Sequence, residues 1–215
     1  MAKIIDYIKK NKVMFFACYA PIHFIWFLLL ENWTDRDFTI LHCGLDEVIP
    51  FVKWFIIPYY LWFPYIVVSV LWFYFFSDRS ETVRLYTILV AGMAISLLIY
   101  TIWPNAVELR PDKVVGDDAL AEFVRNLYKV DTDTNVCPSL HVYNTICIMT
   151  ACFRNAKLRG RKVVMTFITL LSLLIVTSTM FLKQHSFIDV VAAFILYAVL
   201  YIIIYVCWKK ESKVS

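Results

Sequence analysis

His185 and Asp189 stand four positions apart. On a helix that spacing puts them on one face, one turn from each other. An aspartate beside a histidine accepts its Nδ1 proton, fixes the tautomer and leaves Nε2 as a lone-pair nucleophile. His141 follows Pro138 and Ser139 in a segment that reads as a helix start. A histidine there can protonate a leaving oxygen, and the free backbone N–H groups of a first helical turn attract phosphate. The Ser139 hydroxyl adds a donor. Arg110 is a forked donor suited to phosphate oxygens, and Lys183 lies two residues before His185. Each of these signals has a bland reading of its own: a capped helix, a solvated loop charge, an incidental i,i+4 pair. Together they describe phosphoryl chemistry with His185 as nucleophile and His141 as general acid.

Something must bring residues 110, 139–141 and 183–189 to one place. Hydrophobic residues make up 61% of the 215 and charged ones 18%, against about 45–50% and 25% in soluble domains. The excess lies in long blocks, and a bilayer span needs about 20 such residues. Six spans are expected: Val13–Leu30, Pro50–Phe76, Leu85–Trp103, Ser139–Phe153, Val163–Leu182 and Phe187–Trp208. The second carries Pro58 and Pro64, which predicts a kink. The fourth is short and opens on polar residues, as a helix lining a cavity would. The fold class is thus an all-α integral membrane bundle of six helices in one domain, residues 1–215. Every candidate residue falls where these helices reach one membrane face.

Six spans put both termini on one side. That side holds 14 lysines and arginines and the other holds 7. Basic residues concentrate on the cytoplasmic side, so the termini are expected there and the candidate site on the extracytoplasmic face, with a bacterial plasma membrane as the expected location. The net charge of +4 reports orientation, and no nucleic acid is expected as a partner. Met1–Lys12 carries Ile4, Ile5 and Ile8 at helical spacing among lysines and reads as a short interfacial helix before an uncleaved first span. Between spans three and four, Leu120, Phe123, Val124 and Leu127 recur at helical spacing within Asp117–Tyr128, predicting an amphipathic helix over the membrane face. Cys43 and Cys137 fall on the outer side, and a disulfide between them is expected if that side is oxidising. No cysteine or histidine spacing matches a zinc site. His23, His42 and the aromatic residues are read as packing or interfacial groups, and Asp46 with Ile49-Pro50-Phe51 as an anchor of the second span or a border of the lipid entry.

Cys137-Pro138-Ser139-Leu140-His141-Val142 resembles the second motif of the type 2 phosphatidic acid phosphatase (PAP2) superfamily, Pro-Ser-x-His. Ser178 through Asp189, STMFLKQHSFID, resembles its third, Ser-Arg-x5-His-x3-Asp, and Arg110-Pro111 the end of its first, Lys-x6-Arg-Pro. The resemblance implies that His185 attacks phosphorus to form a phosphohistidine and that Asp189 orients it. It implies that His141 protonates the leaving alkoxide and that Arg110 and Ser139 hold the phosphoryl oxygens, with neither metal nor cofactor. Trp103 stands where the first motif has Lys, Thr179 where the third has Arg, and Leu140 where many members have Gly. Lys183 is the nearest substitute cation. The missing cations bring the pattern closer to the branch similar to inositol phosphorylceramide and sphingomyelin synthases, which handle phosphodiesters. Three functions follow as expectations: a lipid phosphate phosphatase, a lipid headgroup phosphotransferase, or a non-catalytic lipid-binding or transport protein on the same scaffold. Each implies a lipid phosphate or phospholipid as ligand.

Overall fold

A computed structural model describes residues 12–207, with side chains from residue 18 onward, and it is mostly helical. The expected interfacial helix at Met1–Lys12 lies almost wholly outside the described residues. Eight α-helices follow in order: α1 (Lys12–Asn32), α2 (Gly44–Val48), α3 (Ile56–Phe76), α4 (Arg79–Ile102), α5 (Ala119–Val130), α6 (Leu140–Arg154), α7 (Lys162–Phe181) and α8 (Phe187–Tyr201). A 3-10 turn, Lys53–Phe55, leads into α3, and a π-helical stretch, Ile202–Cys207, prolongs α8. Among the described residues four helical stretches are long and apolar enough to cross a membrane: Lys53–Phe76, Arg79–Ile102, Lys162–Phe181 and Phe187–Cys207. The first and fourth expected spans correspond to α1 and α6, which are not among those four. With 15 residues, α6 is only about 22 Å long at about 1.5 Å per residue.

Helix α3 continues through Pro64 without a break, and Pro58 sits in its first turn, where a missing N–H leaves no bond unmade. Helix α4 begins at Arg79, earlier than the apolar run alone predicts, because Asp78 closes the preceding turn in extended conformation. The amphipathic helix is α5. Asp118 caps it by accepting from the Ala121 N–H at 3.1 Å. It buries Ala121, Val124 and Leu127, while Phe123 faces outward.

Helix α6 is the hub, packing against α3, α4, α7 and α8. Ten of its fifteen residues are buried, which explains its polar content: its neighbours, and not lipid, surround it. One close approach is to α4. A Cβ built on Gly92 would stand 2.0 Å from Cζ of Tyr143, so only glycine lets that ring lie flat on α4. The Tyr143 hydroxyl then donates to the Ile88 carbonyl at 2.6 Å. The peripheral helices instead turn large apolar side chains outward, among them Phe24, Val68, Phe167 and Ile195. Such an apolar exterior is stable against lipid and unstable against water.

Two parallel two-residue strands, β1 (Thr39–Ile40) and β2 (Asn105–Ala106), tie the loop after α1 to the loop after α4. No periodic pattern announces them. Asn105 is fully buried. Its Oδ1 accepts from the Val136 and Cys137 N–H groups at 2.9 and 2.8 Å, and its Nδ2 donates to the Cys137 carbonyl. One side chain therefore fixes the path of the chain into Pro138–His141. The peptide bond before Pro138 is cis.

Candidate functional site

Ser139 is the N-cap of α6. Its hydroxyl accepts weakly from the Val142 N–H at 3.4 Å, and its own N–H donates to the Asp189 carbonyl at 3.2 Å. The start of α6 is thereby stitched to the start of α8. His141 is the second residue of α6. Its ring lies between Tyr59 and Trp62 of α3, with centroids 4.6 and 4.2 Å away, and 5.7 Å from the ring of His185.

His185 arrives from the other side. Helix α7 ends in a tight turn in which Lys183 takes a left-handed φ of 56°, a conformation that costs a non-glycine residue about 1 kcal/mol. The carbonyl of Thr179 accepts from the backbone N–H groups of both Gln184 and His185, at 3.0 and 3.1 Å. Ser186 caps α8. The buried His185 Nδ1 meets Asp189 Oδ2 at 3.2 Å, and the same oxygen accepts from the Ser186 N–H at 2.9 Å. The four-residue spacing read from the sequence is thus a direct contact, and His141, His185, Asp189 and Ser139 come together.

The two expected cations are placed otherwise. Lys183 Nζ donates to the main-chain carbonyls of Asp46 and Ile49, at 2.6 and 2.5 Å. These carbonyls belong to α2 and the residue that closes it, so the ammonium is a fastener for the loop between α1 and α3. Burial draws its pKa below the ordinary lysine value, against the opposing pull of Asp46. Arg110 donates through its Nη atoms to the carbonyls of Tyr128 and Asp131, at 3.1 and 2.6 Å, with its guanidinium 4.4 Å from the centroid of the Tyr128 ring. It closes the C-terminal end of α5. Its Nε is buried without a hydrogen-bond partner and lies 3.9 Å from an Asp133 carboxylate oxygen.

Several residues join the site that the sequence does not place there. Asp46, nearly inaccessible, accepts from Ser186 Oγ at 2.6 Å, the Phe187 N–H at 2.8 Å and the Cys43 N–H at 2.9 Å. Burial raises its carboxyl, but these bonds outweigh that and hold it below the ordinary aspartate value. Asp131, at the end of α5, reaches Tyr59 and His141. Gln184 donates to the Asp131 carbonyl at 3.3 Å. His141 Nε2, Trp62 Nε1 and Gln184 Oε1 are buried with no hydrogen-bond partner, so the lining of the site holds uncommitted polar atoms. The expected disulfide is not formed. All six cysteines are free, and Cys137 is buried, with its thiol pushed up to about 12 by burial and by the nearby Asp189. Among the described residues no three His, Cys, Asp or Glu side chains gather as a metal ion would require.

The model of the PAP2 superfamily matches residues 85–213, a stretch that includes α6, α7, α8 and every residue of the histidine pair. No curated protein and no solved structure matches the chain.

Proposed function

The chain belongs to the PAP2 superfamily, whose members are phosphatases and phosphotransferases, and on that premise we propose that it is a membrane-embedded lipid phosphatase working through a phosphohistidine on His185. One observation carries the reading: the rings of His141 and His185 stand 5.7 Å apart, and Asp189 takes up Nδ1 of His185. Nε2 is then the nitrogen that bears the lone pair. It attacks phosphorus, the bond to the lipid oxygen breaks, and His141 gives that oxygen a proton. His141 then takes a proton from water, whose oxygen bonds to phosphorus as the bond from phosphorus to His185 Nε2 breaks, releasing inorganic phosphate. Ser139 and the first N–H groups of α6 would hold phosphoryl oxygens, since a helix start favours anions. Such a transition state asks mainly for positioning and for fixed donors. In this reading α1 and α6 complete a bundle of six spans, with both termini cytoplasmic and the histidines on the outer face.

The placement of Lys183 and Arg110 favours a second reading. Both cations donate to main-chain carbonyls, which leaves little positive charge for a phosphate monoester dianion. A phosphodiester headgroup carries less charge, and a lipid hydroxyl in place of water would make the enzyme a headgroup phosphotransferase. The purified protein, given labelled phosphatidic acid or a labelled phosphodiester lipid with diacylglycerol, separates the two: inorganic phosphate marks the phosphatase and a new phospholipid marks the transferase. His185→Ala abolishes either activity, and vanadate inhibits both by mimicking the pentacoordinate state. Absence of turnover on both lipids in the wild type would refute the enzyme readings and leave a lipid-binding role.

A further inference from the structure

Asp131 closes α5, and both its backbone and its half-buried side chain are held. Its N–H donates to the Leu127 carbonyl at 2.9 Å. Its carbonyl receives Arg110 Nη2 at 2.6 Å and Gln184 Nε2 at 3.3 Å. Its carboxylate makes no bond to the helix it ends. It points inward, where Oδ2 accepts from the hydroxyl of the fully buried Tyr59 at 2.5 Å and lies 4.0 Å from His141 Nε2. Tyr59 in turn packs its ring on His141. A cap or a surface charge needs none of this. The groups that face His141 are Tyr59 and Trp62 from α3, His185 from the turn before α8, and Asp131.

We propose that Asp131 is the positioning residue for His141: Tyr59 aims its carboxylate so that it supplies the counter-charge beside the imidazolium that protonates the leaving oxygen. This rests on the reading of His141 as general acid. A separation of 4.0 Å is an ion-pair distance and too long for a hydrogen bond. The Nε2 proton therefore remains available. As the bond from His185 Nε2 to phosphorus forms and the bond from phosphorus to the lipid oxygen breaks, that oxygen takes the proton from His141 and none from Asp131. Arg110 thereby enters the chemistry at second hand, because its guanidinium fixes the backbone of Asp131. The site then contains two histidine–carboxylate pairs, His185 with Asp189 for attack and His141 with Asp131 for departure.

The test uses the full-length protein and two substrates: the lipid that the wild type turns over, and an analogue whose leaving alcohol is 4-nitrophenol, which departs without a proton. General-acid help is worth roughly 10²–10⁴-fold. Asp131→Asn should lower kcat on the natural lipid by about 10- to 100-fold at little change in KM, as part of that help, and leave the first-turnover release of nitrophenol from the ester within about threefold. His141→Ala should keep a nitrophenol burst but lose steady-state turnover of both substrates, because His141 also activates the resolving water, and Asp131→Glu should recover part of the Asp131→Asn loss. Equal losses of Asp131→Asn on both substrates would make Asp131 merely structural and overturn the proposal. So would unchanged kinetics, or a gain in activity, which would make it a repulsive gate. Loss of both activities in His185→Ala is the separate check on the underlying reading: if His185→Ala stays active, that reading fails with this one; if it is dead, only the role of Asp131 is at issue.

Discussion

Replacing Asp46 by Ala tests how the loop between α1 and α3 holds the segment around His185. The carboxylate accepts from Ser186 Oγ, the Phe187 N–H and the Cys43 N–H at 2.6, 2.8 and 2.9 Å. Alanine leaves the two backbone donors without an acceptor, while the serine hydroxyl can rotate to another partner. A stranded buried donor costs about 1–3 kcal/mol, so the loss is about 3 kcal/mol. At about 2–4 °C per kcal/mol for a chain of this size, the melting temperature of the detergent-solubilised protein should fall by about 6–12 °C. The lysine fastener remains, because Lys183 donates to the Asp46 carbonyl and not to its side chain. The loop should stay near its place while the first turn of α8 loosens. Turnover should therefore fall alongside stability, since His185 directly precedes the residue that Asp46 holds. Thermal unfolding followed by tryptophan fluorescence reads the first quantity and product release reads the second. A melting temperature within about 2 °C of wild type would refute the argument.

Three further outcomes are expected. The depressed pKa of Asp46 means its contribution to stability is complete above the ordinary aspartate value of 3.8 and is lost as the pH falls through the lower folded value; the melting-temperature gap between wild type and Asp46→Ala should be full at pH 7 and shrink below pH 4. Gly92→Ala drives a methyl into the Tyr143 ring, and at about 1–3 kcal/mol for overpacking a core, plus about 1 kcal/mol for the bond to Ile88, it should cut folded yield sharply; size-exclusion recovery equal to wild type would contradict the contact. Cys43 should react with a membrane-impermeant maleimide from outside intact cells without prior reduction while the buried Cys137 should not; labelling that requires reduction would restore the disulfide, and labelling only from the cytoplasmic side would invert the proposed topology.

Long apolar runs made most of the helices legible in the sequence, because a lipid-facing helix is apolar nearly all round and needs no subtle pattern. Boundaries were less legible where water-facing turns extend a helix, as Arg79 extends α4. The strands at Thr39–Ile40 and Asn105–Ala106 were invisible, since two residues have no period. Within the site, His185 with Asp189 and Ser139 with His141 are close in sequence, so spacing alone related them. Tyr59, Asp46, Asn105 and Asp131 come from remote segments, and only tertiary structure relates them to the histidines. Arg110 and Lys183 illustrate a different blindness: residue type predicts what a cation can bind, while its reach decides what it does bind, and here both meet main-chain carbonyls at the ends of short helices.

Asp189 Oδ2 bonds the His185 ring and the Ser186 N–H alike. One oxygen therefore opens a helix and orients an imidazole, so replacing Asp189 disturbs both roles at once. A descendant of this protein that had abandoned chemistry would still need Asp189 to begin α8. Its persistence in a decayed copy would record folding, whereas His185, whose imidazole caps no helix, would be free to drift. Among sequences of this kind, the aspartate is thus a poor witness to activity, and the histidine beside it is the residue by which living enzymes and retired scaffolds should be told apart.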